Sequence, residues 1–239
     1  MEFKIHKIEW TAEKSARIWD YYSSNTNYRE TFFGKQVGYL VAKYINKKLK
    51  LKRLENILDF SCGMGDIINE LLPFLIPKHQ IYATDFSEKN IEFVNKRFKE
   101  NINFKGATLL QRLPSNLDSN MFDLILITEV VEHLTDDELS STLKEAHRLL
   151  KKGGMVFITT PNNENYSANE IMCPDCGCIY HKWQHLRTWN KLQLESTVQK
   201  FGFEKFISTE LNWMNNKEKI LNIIKPRPKG GLLYVGKKF

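Results

Sequence analysis

The segment Asn56-Ile57-Leu58-Asp59-Phe60-Ser61-Cys62-Gly63-Met64-Gly65-Asp66 constrains this chain more than any other. A short apolar run passes through one acidic residue into a turn with two glycines, and a helical pattern then begins. Glycine lets the backbone turn tightly and approach a ligand without a Cβ in the way. Strand, glycine turn and helix in that order open a βαβ unit, and the same grammar repeats downstream. Residues 80–84 form a second apolar run, followed by a helix with Ser87 as N-cap and Asn90 and Ile91 just inside it. Residues 104–110 give a weaker third strand. Phe122-Asp123-Leu124-Ile125-Leu126-Ile127-Thr128 reads as a buried fourth strand. An amphipathic helix is expected over 136–151, stopped by Gly153-Gly154, and residues 155–160 form a fifth strand ended by Pro161.

Strands alternating with helices predict an α/β fold, a parallel sheet covered by helices on both faces. Upstream, residues 12–22 and 30–49 read as helices, the second with Val37, Leu40, Val41, Tyr44 and Ile45 on one stripe. Beyond the fifth strand the pattern breaks into an irregular Cys/His/Trp-rich stretch at 162–187, long enough to be functional. A helix over 188–201 and strands near 203–208 and 232–237 follow, separated by a polar helix-like segment at 215–224. We read one domain over 1–239: a helical lid (1–50), a cofactor-binding core (51–160), a Cys/His-rich insert (161–188) and a C-terminal helix with strands (189–239). The 239 residues suffice for a sizeable core, and 42% hydrophobic with 12% aromatic residues exclude a disordered chain. No apolar run approaches bilayer length, and Met1-Glu2-Phe3-Lys4-Ile5-His6 lacks a secretory core, which predicts a cytoplasmic protein with no membrane partner. The net charge of +7 comes from scattered lysines and two denser clusters, at 47–53 and 225–229. It reads as a solvated surface, with a phosphate-bearing substrate or RNA as the alternative.

Asp85 ends the second strand, where a carboxylate can accept both hydroxyls of a ribose. A nicotinamide site uses similar parts, but Asp66 stands here in place of its third glycine. Asp59 suits an ammonium group and would repel a pyrophosphate. With Leu113-Pro114, the fourth strand and Gly153-Gly154, this order resembles the class I S-adenosylmethionine-dependent methyltransferases over roughly residues 50–160. Leu233-Tyr234-Val235-Gly236-Lys237 is similar to that family's last strand. The resemblance implies a doubly wound, Rossmann-like sheet of seven strands, mostly parallel with the last antiparallel, and S-adenosylmethionine as cofactor. It further implies that Asp59, Ser61, Gly63 and Gly65 line the methionine and ribose, that Asp85 holds the ribose hydroxyls, and that Phe86, Leu110 and Gln111 lie about the adenine. Ser61 stands where the family more often has glycine, and the acidic residue often found near 110–111 is absent.

Thr128-Glu129-Val130-Val131-Glu132-His133-Leu134 leaves the fourth strand at the carboxyl edge, where open α/β sheets bind ligands. Glu129 is expected near the methionine end of the cofactor, with His133 or His185 as general base for a substrate hydroxyl. The alternative is that the string only caps the next helix. In the insert, Cys173 and Cys176 form a Cys-x-x-Cys pair, and with His181 and His185 they have the spacing of a tetrahedral zinc site. A packed aromatic loop with reduced thiols is the other reading. The string Glu129-x-x-Glu132-His133, with a histidine beyond Thr160-Pro161-Asn162, also resembles the metal-dependent 2′-O-methyltransferases of small RNAs. That resemblance implies a divalent cation on Glu129, Glu132, His133 and His185. The insert's Cys-Pro-Asp-Cys and His-Lys-Trp-Gln-His-Leu-Arg-Thr-Trp strings are instead similar to bacterial methyltransferases that accompany surface-polysaccharide (capsule) biosynthesis. The leading expectation is therefore an O-methyltransferase for a small sugar- or nucleotide-linked metabolite, Trp183 and Trp189 flanking His185 to shape a dry pocket. RNA 2′-O-methylation and a non-catalytic cofactor-binding subunit are the alternatives.

Overall fold

Every strand expected from the apolar runs forms, and the order in which they pair decides where the site lies. A computed structural model describes residues 3–213 and 230–239, so the segment expected at 215–224 lies outside the described residues. The chain begins with a short strand β1 (His6–Lys7) and three helices, α1 (Ala12–Ser24), α2 (Thr26–Arg29) and α3 (Phe33–Lys48). Then come β2 (Asn56–Phe60), α4 (Asp66–Leu71), β3 (Gln80–Asp85), α5 (Glu88–Phe98) and β4 (Phe104–Leu109). They are followed by β5 (Phe122–Thr128), α6 (Asp136–Leu149) and β6 (Leu150–Pro161). The insert supplies β7 (Glu170–Met172) and β8 (Cys178–His181), and α7 (Lys191–Gln199), β9 (Phe203–Leu211) and β10 (Gly231–Lys238) complete the described chain.

The main sheet has seven strands in the order β4-β3-β2-β5-β6-β10-β9. The first five are parallel, and β10 runs antiparallel between β6 and β9. Successive residues of β5 alternate between two apolar layers: Leu124 and Leu126 pack with Val41, Ile45 and Ile68, and Ile125 and Ile127 pack with Leu139, Leu143 and Tyr234. Helices cover both faces, which is why the strand reads as a continuous apolar run rather than an alternating one. The order steps from β2 outward to β3 and β4, then back past β2 to β5 and β6. The turn after β2 and the loop after β5 therefore open side by side at the carboxyl edge.

Helix ends follow local capping chemistry. Ser87 Oγ accepts the Asn90 N–H, as expected from sequence. Thr135 with Glu138 and Asn190 with Gln193 form reciprocal caps, and the second starts α7 at Lys191 rather than at 188. The expected stop at Gly153-Gly154 is corrected: α6 ends at Leu149, and β6 already begins at Leu150 and runs through both glycines. Gly153 has φ +78°, and a Cβ on Gly154 would stand 3.0 Å from the Phe122 carbonyl oxygen. The pair absorbs the register shift between β5 and β6 at Phe122/Leu124 instead of capping a helix.

The insert is a second, three-stranded sheet in the order β1-β8-β7, joining the amino-terminal strand to the β7–β8 hairpin. Helix α1 lies across the same edge: Trp19 Nε1 donates to Gln184 Oε1 at 2.8 Å, and the Tyr22 hydroxyl donates to the Lys182 carbonyl. No described helix is long and apolar enough to cross a membrane.

Candidate active site

The glycine turn has the shape that its residues dictate. Ser61, Gly63 and Gly65 all have positive φ (61°, 53° and 74°), and the turn is tied down by Cys62 N–H to Thr84 O and Gly65 N–H to Cys62 O, each 2.9 Å. The two glycines serve different needs. A Cβ on Gly65 would fall 2.7 Å from the Phe98 ring, so glycine is what lets α5 close against the turn. A Cβ on Gly63 would meet nothing within 4 Å, so this glycine leaves open backbone facing the sheet edge.

Asp85 fastens the same turn. Its Oδ2 accepts the Gly63 N–H at 2.8 Å, and its Oδ1 accepts from Ser87 N–H at 2.9 Å and Asn90 Nδ2 at 3.1 Å. Burial raises its pKa above the usual carboxylate range, against the pull of those bonds. Asp59 differs in kind. It is 1% exposed, neither carboxylate oxygen has a partner, and burial together with the Asp85 and Asp66 charges pushes its pKa up to about 7. A buried carboxylate without a partner is costly, and a cationic ligand group is what would relieve it. These observations fit the ammonium and ribose of S-adenosylmethionine, which supplies an activated methyl on sulfur when bound. Phe86 is 52% exposed beside Asp85. Leu110 is buried and donates its N–H to the Asp85 carbonyl, while Gln111 is exposed.

The second cluster follows β5. Glu129 holds φ +52°, a left-handed conformation unusual for a residue with a side chain, and its N–H bonds Thr159 O at 3.0 Å. Glu132 is 1% exposed; its Oε2 accepts from Thr160 Oγ1 at 2.8 Å, and its Oε1 has no hydrogen-bond donor. Burial is the main cause that pushes Glu129 up to about 7 and Glu132 well above its ordinary value. His133 Nδ1 lies 3.4 Å from Gln184 O and its Nε2 3.8 Å from Glu132 Oε1. Its ring stands 4.8 Å, centroid to centroid, from that of His185. Burial, then the neighbouring His185, lowers the His133 pKa to about 3, so the imidazole is neutral and a poor proton sink. Glu132, His133 and His185 each offer a ligand atom within 4.8 Å of the others. Glu129 is outside that group, coupled to it through charge.

The expected zinc set is corrected. Among the described residues, no cluster with ligand atoms within 4.8 Å joins Cys173 and Cys176 to His181 and His185. The hairpin is the reason. Cys173 and Cys176 belong to the turn at one end, closed by Gly177 N–H to Cys173 O at 2.9 Å, whereas His181 pairs with Glu170 at the other. Three residues of extended strand separate the two ends by roughly 10 Å. His181 and His185 instead stack at 4.4 Å beside Glu164. Trp189 is corrected too. It is 5% exposed, packs with Leu194 and Val198, and lines a cleft with Asp136, Leu139 and Arg187 that His185 does not line, while Trp183 packs edge-on against Tyr22. Sequence reasoning missed Glu164, Gln184 and Trp19. The regular spacing of the His-Lys-Trp-Gln-His string hinted at Gln184, and nothing marked the other two.

A family model described as a methyltransferase domain matches residues 33–206. The chain belongs to this methyltransferase family. It is 31% identical over 186 residues to a ubiquinone biosynthesis O-methyltransferase of Pelagibacter ubique (strain HTCC1062), an alignment covering 72% of each protein. Over 197 residues it is 26% identical to a small RNA 2′-O-methyltransferase of Arabidopsis thaliana, covering 76% of this chain but 21% of that protein. In fold it is similar to the Burkholderia thailandensis 1,6-didemethyltoxoflavin-N1-methyltransferase solved with 1,6-didemethyltoxoflavin and S-adenosylhomocysteine. That match has a TM-score of 0.66 at 17% identity and covers 98% of this chain and 93% of the other. The protein is thus an S-adenosylmethionine-dependent methyltransferase with the Rossmann-like sheet expected from its sequence. None of these three relatives carries a sugar or capsule name, so the expected link to surface polysaccharide gains no support from them.

Proposed function

We propose that this methyltransferase places the methyl of S-adenosylmethionine on a hydroxyl oxygen of a small-molecule acceptor, held by Glu132, His133 and His185. One observation carries the reading. Glu132 Oε1 is buried without a hydrogen-bond partner, beside two imidazoles, so a carboxyl oxygen and two ring nitrogens meet at the carboxyl edge with that oxygen left unpaired. A substrate hydroxyl supplies the missing donor. Its oxygen attacks the methyl carbon in line, the carbon–sulfur bond breaks, and the thioether leaves with the electron pair. The proton passes to the acid–imidazole cluster. Glu129, with a pKa near 7, suits that role better than His133, whose pKa burial lowers to about 3. Asp59, the open backbone at Gly63 and Asp85 would hold the cofactor, and α1 would exclude water from above.

The name of the bacterial relative points to an oxygen acceptor in ubiquinone biosynthesis, which makes phenolic hydroxyls the first class to try. Sugars and nucleosides, the classes expected from sequence, form the comparison panel. The test is transfer of a labelled methyl from S-adenosylmethionine to catechols, sugars and nucleosides, with Glu132→Gln and His185→Ala as controls. Labelling of nitrogen or carbon acceptors alone would overturn the reading.

A second reading is favoured by the donor set itself. An unpartnered buried carboxylate oxygen and two imidazoles suit a divalent cation, and Glu129 would add charge at its edge. Such a cation would polarise the acceptor hydroxyl. Loss of turnover in chelator, restored by manganese or magnesium, is the expected result; unchanged turnover excludes the cation.

A further inference from the structure

Two ligand clusters overlap at His185: one with Glu132 and His133, the other with Glu164 and His181. One imidazole cannot serve both in the same way, and the hydrogen bonds around it decide between them. His181 Nδ1 accepts two main-chain N–H groups, from Trp183 and from His185, each at 3.3 Å. A nitrogen that accepts carries a lone pair, so the His181 proton is on Nε2, which lies 3.3 Å from Glu164 Oε1. That same oxygen accepts from Asn169 Nδ2 at 3.0 Å. The second oxygen, Glu164 Oε2, makes a short contact with His185 Nδ1. Glu164 therefore answers donors with both oxygens, and its pKa is held down to about 2, the bonds from His181 and His185 outweighing its burial. In this second cluster the carboxylate already faces both imidazoles, its Oε2 against His185 Nδ1 and its Oε1 3.3 Å from His181 Nε2.

We propose that Glu164 is a positioning residue that fixes His185 in the Nδ1–H tautomer and so keeps the Nε2 lone pair for the acceptor hydroxyl or its cation. A carboxylate on the far nitrogen of a working imidazole sets which nitrogen is protonated and how the ring is turned. Three further contacts keep Glu164 and the ring in place. Asn169 and His181 fix the carboxylate on one side, and the stacked His181 ring, 19° from parallel, limits rotation of the imidazole. His185 is 7% exposed, so water cannot readily substitute for Glu164.

The inference rests on the proposed role of His185, and Glu164→Gln separates the two. A glutamine side chain has one oxygen and one NH2 group. Its NH2 cannot occupy the place of Oε1, where Asn169 donates and His181 Nε2–H stands 3.3 Å away, so it must face His185 Nδ1. That forces the His185 proton onto Nε2 and removes the lone pair from the site. The tautomer is read directly from two-bond nitrogen–proton correlations in the histidine rings of labelled protein, without any acceptor substrate. The expected result is an Nδ1–H His185 in the native protein and an Nε2–H His185 in Glu164→Gln. Turnover with the acceptor found by the panel above should fall by about 10²-fold, with S-adenosylmethionine affinity within two-fold of native and partial recovery in Glu164→Asp. An Nε2–H His185 in the native protein overturns the proposal, as does an unchanged tautomer in the glutamine variant. A switched tautomer with native turnover also overturns it, provided that His185→Ala is inactive. If His185→Ala keeps full turnover, the role of His185 itself falls, whatever the spectra show.

Discussion

Gln184 and His133 grip each other reciprocally: Gln184 Nε2 donates to the His133 carbonyl at 3.2 Å, and the Gln184 carbonyl lies 3.4 Å from His133 Nδ1. Gln184 also accepts from Trp19 and holds φ +61°. One amide thus joins the loop after β5, the insert and helix α1. Gln184→Ala should leave two half-buried groups, Trp19 Nε1 and the His133 carbonyl, without partners and destabilise the fold by about 1–2 kcal/mol, read from denaturant melts. Turnover should fall further than cofactor affinity, because the lost contacts lie on the acceptor side of the site. Equal losses of both would mean that the bridge acts on the whole edge.

The two turn glycines should fail differently. Gly65→Ala drives a Cβ to 2.7 Å from the Phe98 ring at φ +74°, so we expect a loss of roughly 2–4 kcal/mol in stability. Gly63→Ala meets open space and should cost about 1 kcal/mol, from φ +53° alone. Its methyl group would nonetheless sit where the cofactor approaches, so affinity for S-adenosylmethionine should drop at least ten-fold. Calorimetry of both variants, beside their melting curves, separates the effects.

Asp85 bonds the turn and α5 at once, and its Oδ2 keeps one lone pair for a ribose hydroxyl. Asp85→Ala should weaken S-adenosylmethionine binding by about 1–3 kcal/mol. Asp85→Asn keeps one acceptor and should lose less. The reverse order of affinities would place the ribose elsewhere.

Much of this architecture was legible before any coordinates. β2 and β5 have the bounds that their apolar runs suggest, and Ser87 caps α5 as its side chain dictates. Local rules sufficed there because strand pattern and cap chemistry are written over a few residues. Gly153-Gly154 misled for the same reason. The pattern of a helix stop and that of a strand register shift are alike, and only pairing with β5 decides between them. The insert was the least legible part. Cys-x-x-Cys and His-x-x-x-His show ligand-like spacing in one dimension, but a hairpin of two short strands sends the pairs to opposite ends. Glu164 enters the cluster from a loop with no periodic signal, and only tertiary contact with His181 and His185 reveals it.

The same hairpin makes a prediction about the thiols. Cys176 is exposed and Cys173 half-buried at its tip, whereas Cys62 is buried behind the glycine turn with its thiol pushed well above the ordinary value by burial. Backbone N–H groups of Cys176 and Asp175 lower the Cys173 pKa. A thiol reagent at pH 8 should modify Cys173 and Cys176 in the native protein within minutes and spare Cys62 until unfolding. Cys176→Ser should leave the His133–His185 neighbourhood unchanged in histidine nitrogen spectra. Perturbation there would restore the joint cysteine–histidine metal site.

Asp59 should set how the cofactor-free enzyme responds to pH. Its carboxyl titrates near 7 when folded, against an ordinary value of 3.8. A raised pKa means that the folded state binds the proton more tightly than the unfolded chain does. Stability from this group is therefore fully present below about pH 4 and is lost as pH rises through 7. Glu129 and Glu132 add to the same trend, while His133, lowered to about 3, acts oppositely and lends stability above its ordinary value of 6.5. Asp59→Asn isolates the first contribution. Relative to the variant, the native protein should lose on the order of 2–4 kcal/mol between pH 4 and pH 9 in the absence of cofactor. Adding S-adenosylmethionine should cancel most of that difference, because its ammonium supplies the charge that Asp59 lacks. The affinity of the native enzyme should then increase from pH 6 to pH 8, while that of Asp59→Asn stays flat. A flat profile in both proteins would place the ammonium away from Asp59.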